Sequence, residues 1–222
     1  MSILKIENIN FTYDNEKYVL QDINLDFNIN KTYGIFGKSG AGKTTLLSLI
    51  AGLEKIKEGD ILYNNKSIKK INKDDYRSSE IGVIFQSYNL LPHLTALENV
   101  MLSMDISKKR IDNKKEKALK LLKKVGLDEK KANRKILTLS GGEQQRVSIA
   151  RALSYDAKII LADEPTGNLD KETEEDILNL LISLAHNDNK CVIIISHSNR
   201  VKEKVDTVYY ISNGKIKLTS WQ

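Results

Sequence analysis

The chain has 222 residues, 35 Lys+Arg against 29 Asp+Glu, a formal net charge of +6 and 41% hydrophobic residues. That length suits one domain, or one domain with a lobe, whose core needs no metal or disulfide staple, and the composition excludes wholesale disorder. A single cysteine, Cys191, excludes an internal disulfide and suits a reducing cytosol; charges break up residues 1 to 8, so no signal peptide is expected, and no apolar run approaches the ~18 residues that span a bilayer.

In chain order, Leu4 and Ile6 open a strand-like segment, and Ile23, Leu25, Phe27 and Ile29 alternate with polar residues as in a half-buried antiparallel strand. Residues 33 to 36 form a short apolar run that breaks into a glycine-rich loop. Thr45, Leu46, Leu47, Leu49 and Ile50 then read as a helix, with Gly52 as its stop. Residues 81 to 85 predict another strand. From about 89 to 155 the pattern turns helical, and Ala118, Leu121, Leu122 and Val125 keep the spacing of one helix face. This predicts a helical lobe inserted into a sheet domain. Residues 159 to 162 and 192 to 195 are nearly all apolar, as central parallel strands covered on both faces are. A helix over 172 to 184 lies between them. Asn213-Gly214, set between two apolar runs, predicts a two-residue hairpin.

The charge is local. Residues 108 to 135 hold 13 Lys/Arg against 4 Asp/Glu. A solvated helix face accounts for such a run; an anionic surface or nucleic acid is the alternative, and no nucleic-acid-binding signature accompanies it.

Gly37-Lys38-Ser39-Gly40-Ala41-Gly42-Lys43-Thr44 fits the pattern GxxxxGK[ST] at every specified position. Glycines let the backbone wrap closely round phosphates with N–H groups inward. Lys43 supplies charge to the β- and γ-phosphates, Thr44 a hydroxyl for Mg²⁺, and the following helix its positive end. The apolar strand at 159 to 162 ends in Asp163-Glu164-Pro165. Strand carboxyl ends face the ligand crevice of a parallel sheet, so Asp163 is expected beside the phosphate loop, where it holds Mg²⁺ directly or through water. Strand alternation turns Glu164 the other way, where it aligns and polarises the attacking water.

Leu139-Ser140-Gly141-Gly142-Glu143-Gln144-Gln145-Arg146-Val147 completes the set. Ser140 and Glu143 have capping-box spacing, so a helix starts here and its free N–H groups form an anion site. This run resembles the signature sequence of ATP-binding-cassette (ABC) ATPases, and the chain resembles one such subunit over nearly its whole length. The resemblance implies an α/β fold: a P-loop NTPase core with a mostly parallel sheet, an antiparallel β subdomain and an inserted α-helical subdomain. It implies one domain over 1–222, with 1–88 and 156–222 as the ATP-binding core and about 89–155 as the helical subdomain. Ser140, Gly141, Gly142 and Glu143 would then serve the nucleotide of a second copy, so that a homodimer clamps two ATP molecules head to tail.

Other residues gain roles only through that resemblance. Tyr13 stands where the family stacks an aromatic on adenine, so ATP would lie on Tyr13 and on residues 37 to 45, ending at Thr45. Gln86 matches the glutamine that touches Mg²⁺ and the water and joins the two lobes. Gly167-Asn168-Leu169-Asp170 matches the loop that crosses the dimer interface, with Asp170 its acidic end. His197 matches the switch histidine at the γ-phosphate. Catalysis would rest on Glu164, His197, Gln86 and Lys43, and Mg²⁺ on Thr44, Gln86 and Asp163.

Residues 167 to 170, Glu143-Gln144-Gln145 and the run Leu90-Leu91-Pro92-His93-Leu94-Thr95 are similar to those of macrolide-efflux, lipoprotein-releasing and antimicrobial-peptide transporter ATPases. The resemblance implies a separate integral membrane permease, no nucleic acid, and a cytoplasmic location on the inner face of the membrane. A cell-division-type regulatory ATPase is an alternative, as is a soluble cassette acting on nucleic acid or ribosomes. Three positions depart from the family: Ser198 where Asp is common, Lys31-Thr32 where Gly-Glu is usual, and Ala157 in place of a common proline.

Overall fold

A computed structural model of the chain describes residues 2–14 and 16–219. Its strands and helices run β1 (Ser2–Phe11), β2 (Leu20–Asn28), β3 (Lys31–Phe36), α1 (Lys43–Ile50), β4 (Glu58–Tyr63) and β5 (Lys66–Ser67). Next come α2 (Lys73–Ser79), β6 (Ile81–Ile84), α3 (Ala96–Ile106), α4 (Lys114–Lys124), α5 (Glu129–Ala132) and α6 (Gly141–Leu153). The chain continues through β7 (Ile159–Asp163), α7 (Lys171–Asp188), β8 (Cys191–Ile195), α8 (Asn199–Lys204), β9 (Thr207–Ser212) and β10 (Lys215–Thr219).

The strands form two sheets. One is antiparallel, in the order β2-β1-β4-β5; the other runs β10-β9-β3-β8-β7-β6 and is parallel except for the β9–β10 hairpin. Side chains of β7 and β8 alternate between two cores. Ile160, Ala162, Val192 and Ile194 pack with α3, α4, α6 and α7. Ile159, Leu161, Ile193 and Ile195 pack with α1 and the antiparallel sheet. Both faces of β7 and β8 are therefore covered, which is why these strands read as unbroken apolar runs.

Register carries the next level of organisation. Ile35 of β3 pairs with Ile195 of β8, and Ile195 pairs with Asp163 of β7. The three strands end abreast, so the loops after Phe36, Asp163 and Ile195 leave the sheet at one level. Neighbouring strands lie about 4.8 Å apart, which brings the three loops within reach of one small ligand.

Several elements escape the sequence patterns. β4 and the edge strand β5 carry one fully buried side chain between them, Ile61, so no apolar alternation announces them. The short α2 is polar but for Tyr76, and its signal is local: the Asn72 side chain accepts from the N–H groups of Asp74 and Asp75. Ile29 lies past the end of β2, where Asn30 turns with φ 63°. The hairpin turn at Asn213 and Gly214 has φ of 49° and 72°, as a two-residue turn of this type requires.

The helices α3 to α6 lie between β6 and β7 and bury Ala118, Leu122 and Val125, with Leu121 partly covered. Within the basic stretch, Lys108, Lys109, Lys114, Lys124 and Lys131 pair with Asp75, Glu80, Asp105, Asp188 and Glu143 outside it. Arg110 and Lys120 pair with Asp112 and Glu116 inside it. About half of the basic residues of the stretch thus have an acidic partner in their own chain.

α6 presses on the sheet at Gly82. A Cβ there would stand 2.6 Å from the Ala152 carbonyl oxygen and 2.8 Å from Ile160 Cδ1. Gly82→Ala is expected to push α6 off β6 and cost about 1–3 kcal/mol, read as a lower urea midpoint at unchanged m-value.

Candidate active site

Gly42 occupies the N-cap of α1 with φ 104°, and Gly40 has φ 75°. Both conformations strain any residue with a Cβ, so the loop needs its glycines here. Lys43 opens the helix and is only 7% exposed. Its ammonium is held inside the loop by the Gly37 carbonyl at 2.9 Å and the Lys38 carbonyl at 3.1 Å.

Asp163 and Glu164 lie next to this charge. Thr44 lies close enough to the Asp163 carboxylate to favour its charged form. Burial pushes Asp163 above the usual carboxylate range, and Lys43 and Thr44 pull it part of the way back. Burial also raises Glu164, against the opposing pull of His197 and Lys43. Glu164 Oε1 is 3.2 Å from His197 Nε2 yet is buried without a hydrogen bond of good geometry.

Glu164 lies outside the strand alternation on which the expectation for it rested. Strand pairing stops at Asp163, and Glu164 takes a left-handed backbone, φ 45°, with its N–H donated to the Ile195 carbonyl at 3.0 Å. A left-handed kink, and not pleat alternation, aims its carboxylate. Non-glycine residues rarely adopt this conformation, and its cost is tolerated at functional sites.

A cavity of about 720 Å³ opens beside the loop. Tyr13, Tyr18, Lys38, Gly40, Ala41 and Asn213 are among the residues lining it. Tyr13 is 60% exposed, its ring perpendicular to that of Phe11 and its hydroxyl 3.1 Å from Thr45 Oγ1. A flat aromatic face and a phosphate-sized loop thus share one opening.

The signature residues lie elsewhere. None of Ser140, Gly141, Gly142 and Glu143 lines this cavity. They start α6, where Ser140 Oγ accepts from the Glu143 N–H and the Glu143 carboxylate accepts from the Ser140 N–H, so the expected capping box is present. That N–H bond, with Lys131, holds Glu143 below the usual carboxylate range. Gly142 lies against Thr173: a Cβ would come within 2.5 Å of its methyl. Asp170 caps α7 by accepting from the N–H groups of Glu172 and Thr173, which lower its pKa. Gln86 donates to Asn168 Oδ1 at 3.4 Å and lies against Gly167. No hydrogen bond joins it to Thr44 or Asp163 among the described residues.

Two links were not read from the sequence. Gln145, fully buried, donates to the Pro165 carbonyl at 2.7 Å, tying α6 to the acidic strand end. Arg151 donates to the carbonyls of Tyr88, at 3.0 Å, and of Asn89, tying α6 to the segment after Gln86. All three bonds go to main-chain oxygens, which every residue has, so residue type does not reveal them.

A family model described as ABC transporter matches residues 20–167. The chain belongs to the ABC transporter family. This ABC cassette is 47% identical over 215 residues to the ABC transporter ATP-binding protein YclH of Bacillus subtilis, covering 96% of this chain and 95% of that one. It is 38% identical over 225 residues to the lipoprotein-releasing system ATP-binding protein LolD of Francisella tularensis, covering 97% and 96%. Among solved structures it matches the dimeric ABC transporter cassette MJ0796 of Methanocaldococcus jannaschii with a TM-score of 0.86 at 36% identity, covering 99% of this chain and 100% of that one. A second dimeric MJ0796 structure, a post-hydrolysis state bound to ADP and Pi, matches with a TM-score of 0.85. The cassette is an ATP-binding, ATP-hydrolysing subunit. No described helix is long and apolar enough to cross a membrane.

The donors fit Mg²⁺ carried on a nucleotide. A hydroxyl and a carboxylate are hard oxygen ligands, and this ion takes few protein ligands and completes its shell with phosphate and water. Among the described residues no group of three His, Cys, Asp or Glu forms a closed metal cage.

A carboxyl with a raised folded pKa binds its proton more tightly when folded, so it costs stability above that pKa and returns it as the pH falls. Glu164→Gln is therefore expected to raise the thermal midpoint at pH 8, and the gain to shrink as the pH is lowered toward the carboxylate range. A pH series of melting curves checks this.

Proposed function

We propose that this cassette hydrolyses ATP in a site completed by a second copy and so drives a separate export-type permease from the inner face of the membrane. The observation that carries the reading is the meeting, at one edge of the parallel sheet, of the phosphate loop, Asp163-Glu164 and His197, while no hydrogen bond or ion pair joins residues 140 to 143 to any of them among the described residues. An anion site that its own chain does not use needs another copy's nucleotide. The dimeric MJ0796 cassette supports the pairing. The similarity to a lipoprotein-releasing ATPase supports the export branch.

In this reading the base of ATP stacks on Tyr13 and its phosphates lie on residues 37 to 45. The carbonyls that now hold the Lys43 ammonium give way to phosphate oxygens, so the charge is pre-placed and needs little reorganisation. Mg²⁺, held by Thr44 and Asp163 with help from Gln86, would neutralise charge on the phosphate oxygens. Glu164 orients and polarises the water for in-line attack, its buried Oε1 having no other strong hydrogen-bond partner. His197 stabilises charge on the transferring phosphoryl group. Gln86, set against Gly167 and Asn168, carries the state of the site to the interface loop ending at Asp170 and to the helices at about 89–155. Ser140 to Glu143 of the second copy close the far side, so ATP bridges the dimer and hydrolysis releases it.

Lys43→Ala is expected to weaken ATP binding about 10- to 100-fold or more, measured by equilibrium titration; unchanged affinity would remove the loop from this role. Glu164→Gln is expected to keep ATP binding, lose about 10²–10⁴-fold in turnover and accumulate an ATP-dependent dimer in sedimentation experiments. Normal turnover in that variant excludes Glu164 as the group acting on water. Co-purification identifies the permease. Reconstituted with the cassette in lipid, it should raise the ATPase rate, and RNA or DNA should not.

A further inference from the structure

Ser198 occupies the N-cap of α8, where serine ordinarily turns its hydroxyl onto the helix's own N–H groups. Here it makes no such bond. The hydroxyl donates instead to Glu174 Oε1 at 2.6 Å. The Glu174 side chain is 15% exposed, and its second oxygen lies 3.5 Å from Arg200. Arg200 also donates to the Lys171 carbonyl at 2.8 Å. Glu174 belongs to the first turn of α7, where its N–H bonds the Asp170 carbonyl at 2.8 Å. The residue directly after His197 is thereby fastened one turn away from Asp170.

We propose that Ser198 and Glu174 are a matched pair of positioning residues, which hold His197 beside Glu164 and couple the histidine loop to the loop ending at Asp170. The pairing is one acid on α7 and one neutral donor at 198. The aspartate common in the resembled family would set a second carboxylate against Glu174 in a partly buried place, where like charges repel. The departure at 198 is thus complementary to the acid across from it. This inference rests on the reading of His197 as a group acting on the transferring phosphoryl group.

The test compares kcat and KM for ATP, and melting temperature, in the full chain at concentrations where ATP-dependent dimers form. Ser198→Ala is expected to lower kcat about 3- to 10-fold with KM nearly unchanged, and Ser198→Asp more than about 10-fold, because a small misplacement of a reacting group is costly. Moving the acid across, in Ser198→Asp with Glu174→Ser, restores kcat to within about threefold of the parent. Melting temperatures do not follow this order. Parental kcat in Ser198→Asp, or no rescue in the double variant, overturns the pairing. Should Asp at 198 prevent folding, Ser198→Ala and Glu174→Ala carry the same test. Their losses must fail to multiply when combined, and simple multiplication overturns the pairing. His197→Ala separates the two readings: unchanged kcat there refutes the role of His197 and the pairing with it. A loss in His197→Ala beside parental kcat in Ser198→Asp refutes the pairing alone.

Discussion

The hydrogen-bond ladder of three parallel strands is the constraint on which the rest of this molecule depends. β3, β8 and β7 are neighbours, and Ile35, Ile195 and Asp163 share one rung level. The phosphate loop, the histidine and the two carboxylates are far apart in the chain, and only this register brings them together. The register is enforced by packing. A slip of one residue would exchange the faces of Ile160 and Leu161, or of Ile193 and Ile194, between two differently shaped cores. The apolar strands thus do more than fill space: they set the distances within the site.

That site is built against the grain of stability. A lysine, an aspartate and a glutamate sit together under cover, and both carboxyls are pushed up by burial despite the nearby ammonium. Glu164 also holds a left-handed backbone. Such a conformation costs on the order of 1 kcal/mol, and a buried polar atom without a good partner costs a similar amount or more. A core packed on both faces of the sheet offsets these terms. The same features make the site ready for reaction, since a half-desolvated carboxylate near a phosphate has fewer water bonds to break.

Much of this was legible in the sequence, because the informative signals are periodic or local. The apolar runs at 159 to 162 and 192 to 195, the Asn213-Gly214 turn and the Ser140–Glu143 cap each depend on a few adjacent residues. Short, thinly buried elements were not legible. β4, β5 and α8 bury too little to leave a pattern. In the site, residue types foretold the phosphate loop and the acidic strand end. They did not foretell the backbone kink that turns Glu164, since that φ comes from where β7 stops pairing. Gln145 and Arg151 were opaque for another reason. Their partners are carbonyl oxygens at 165, 88 and 89, and every residue has one.

The grip of Arg151 has a consequence for how such a cassette diversifies. It holds the main chain of Tyr88 and Asn89, two residues already in left-handed conformations with φ of 60° and 50°. A joint that reads backbone atoms is indifferent to the side chains projecting from it, provided they tolerate that twist. The surface just beyond Gln86 is then open to drift in shape and polarity while the backbone beneath keeps its geometry. Residues 88 and 89 are in this way free to change type while the anchor on their backbone stays the same.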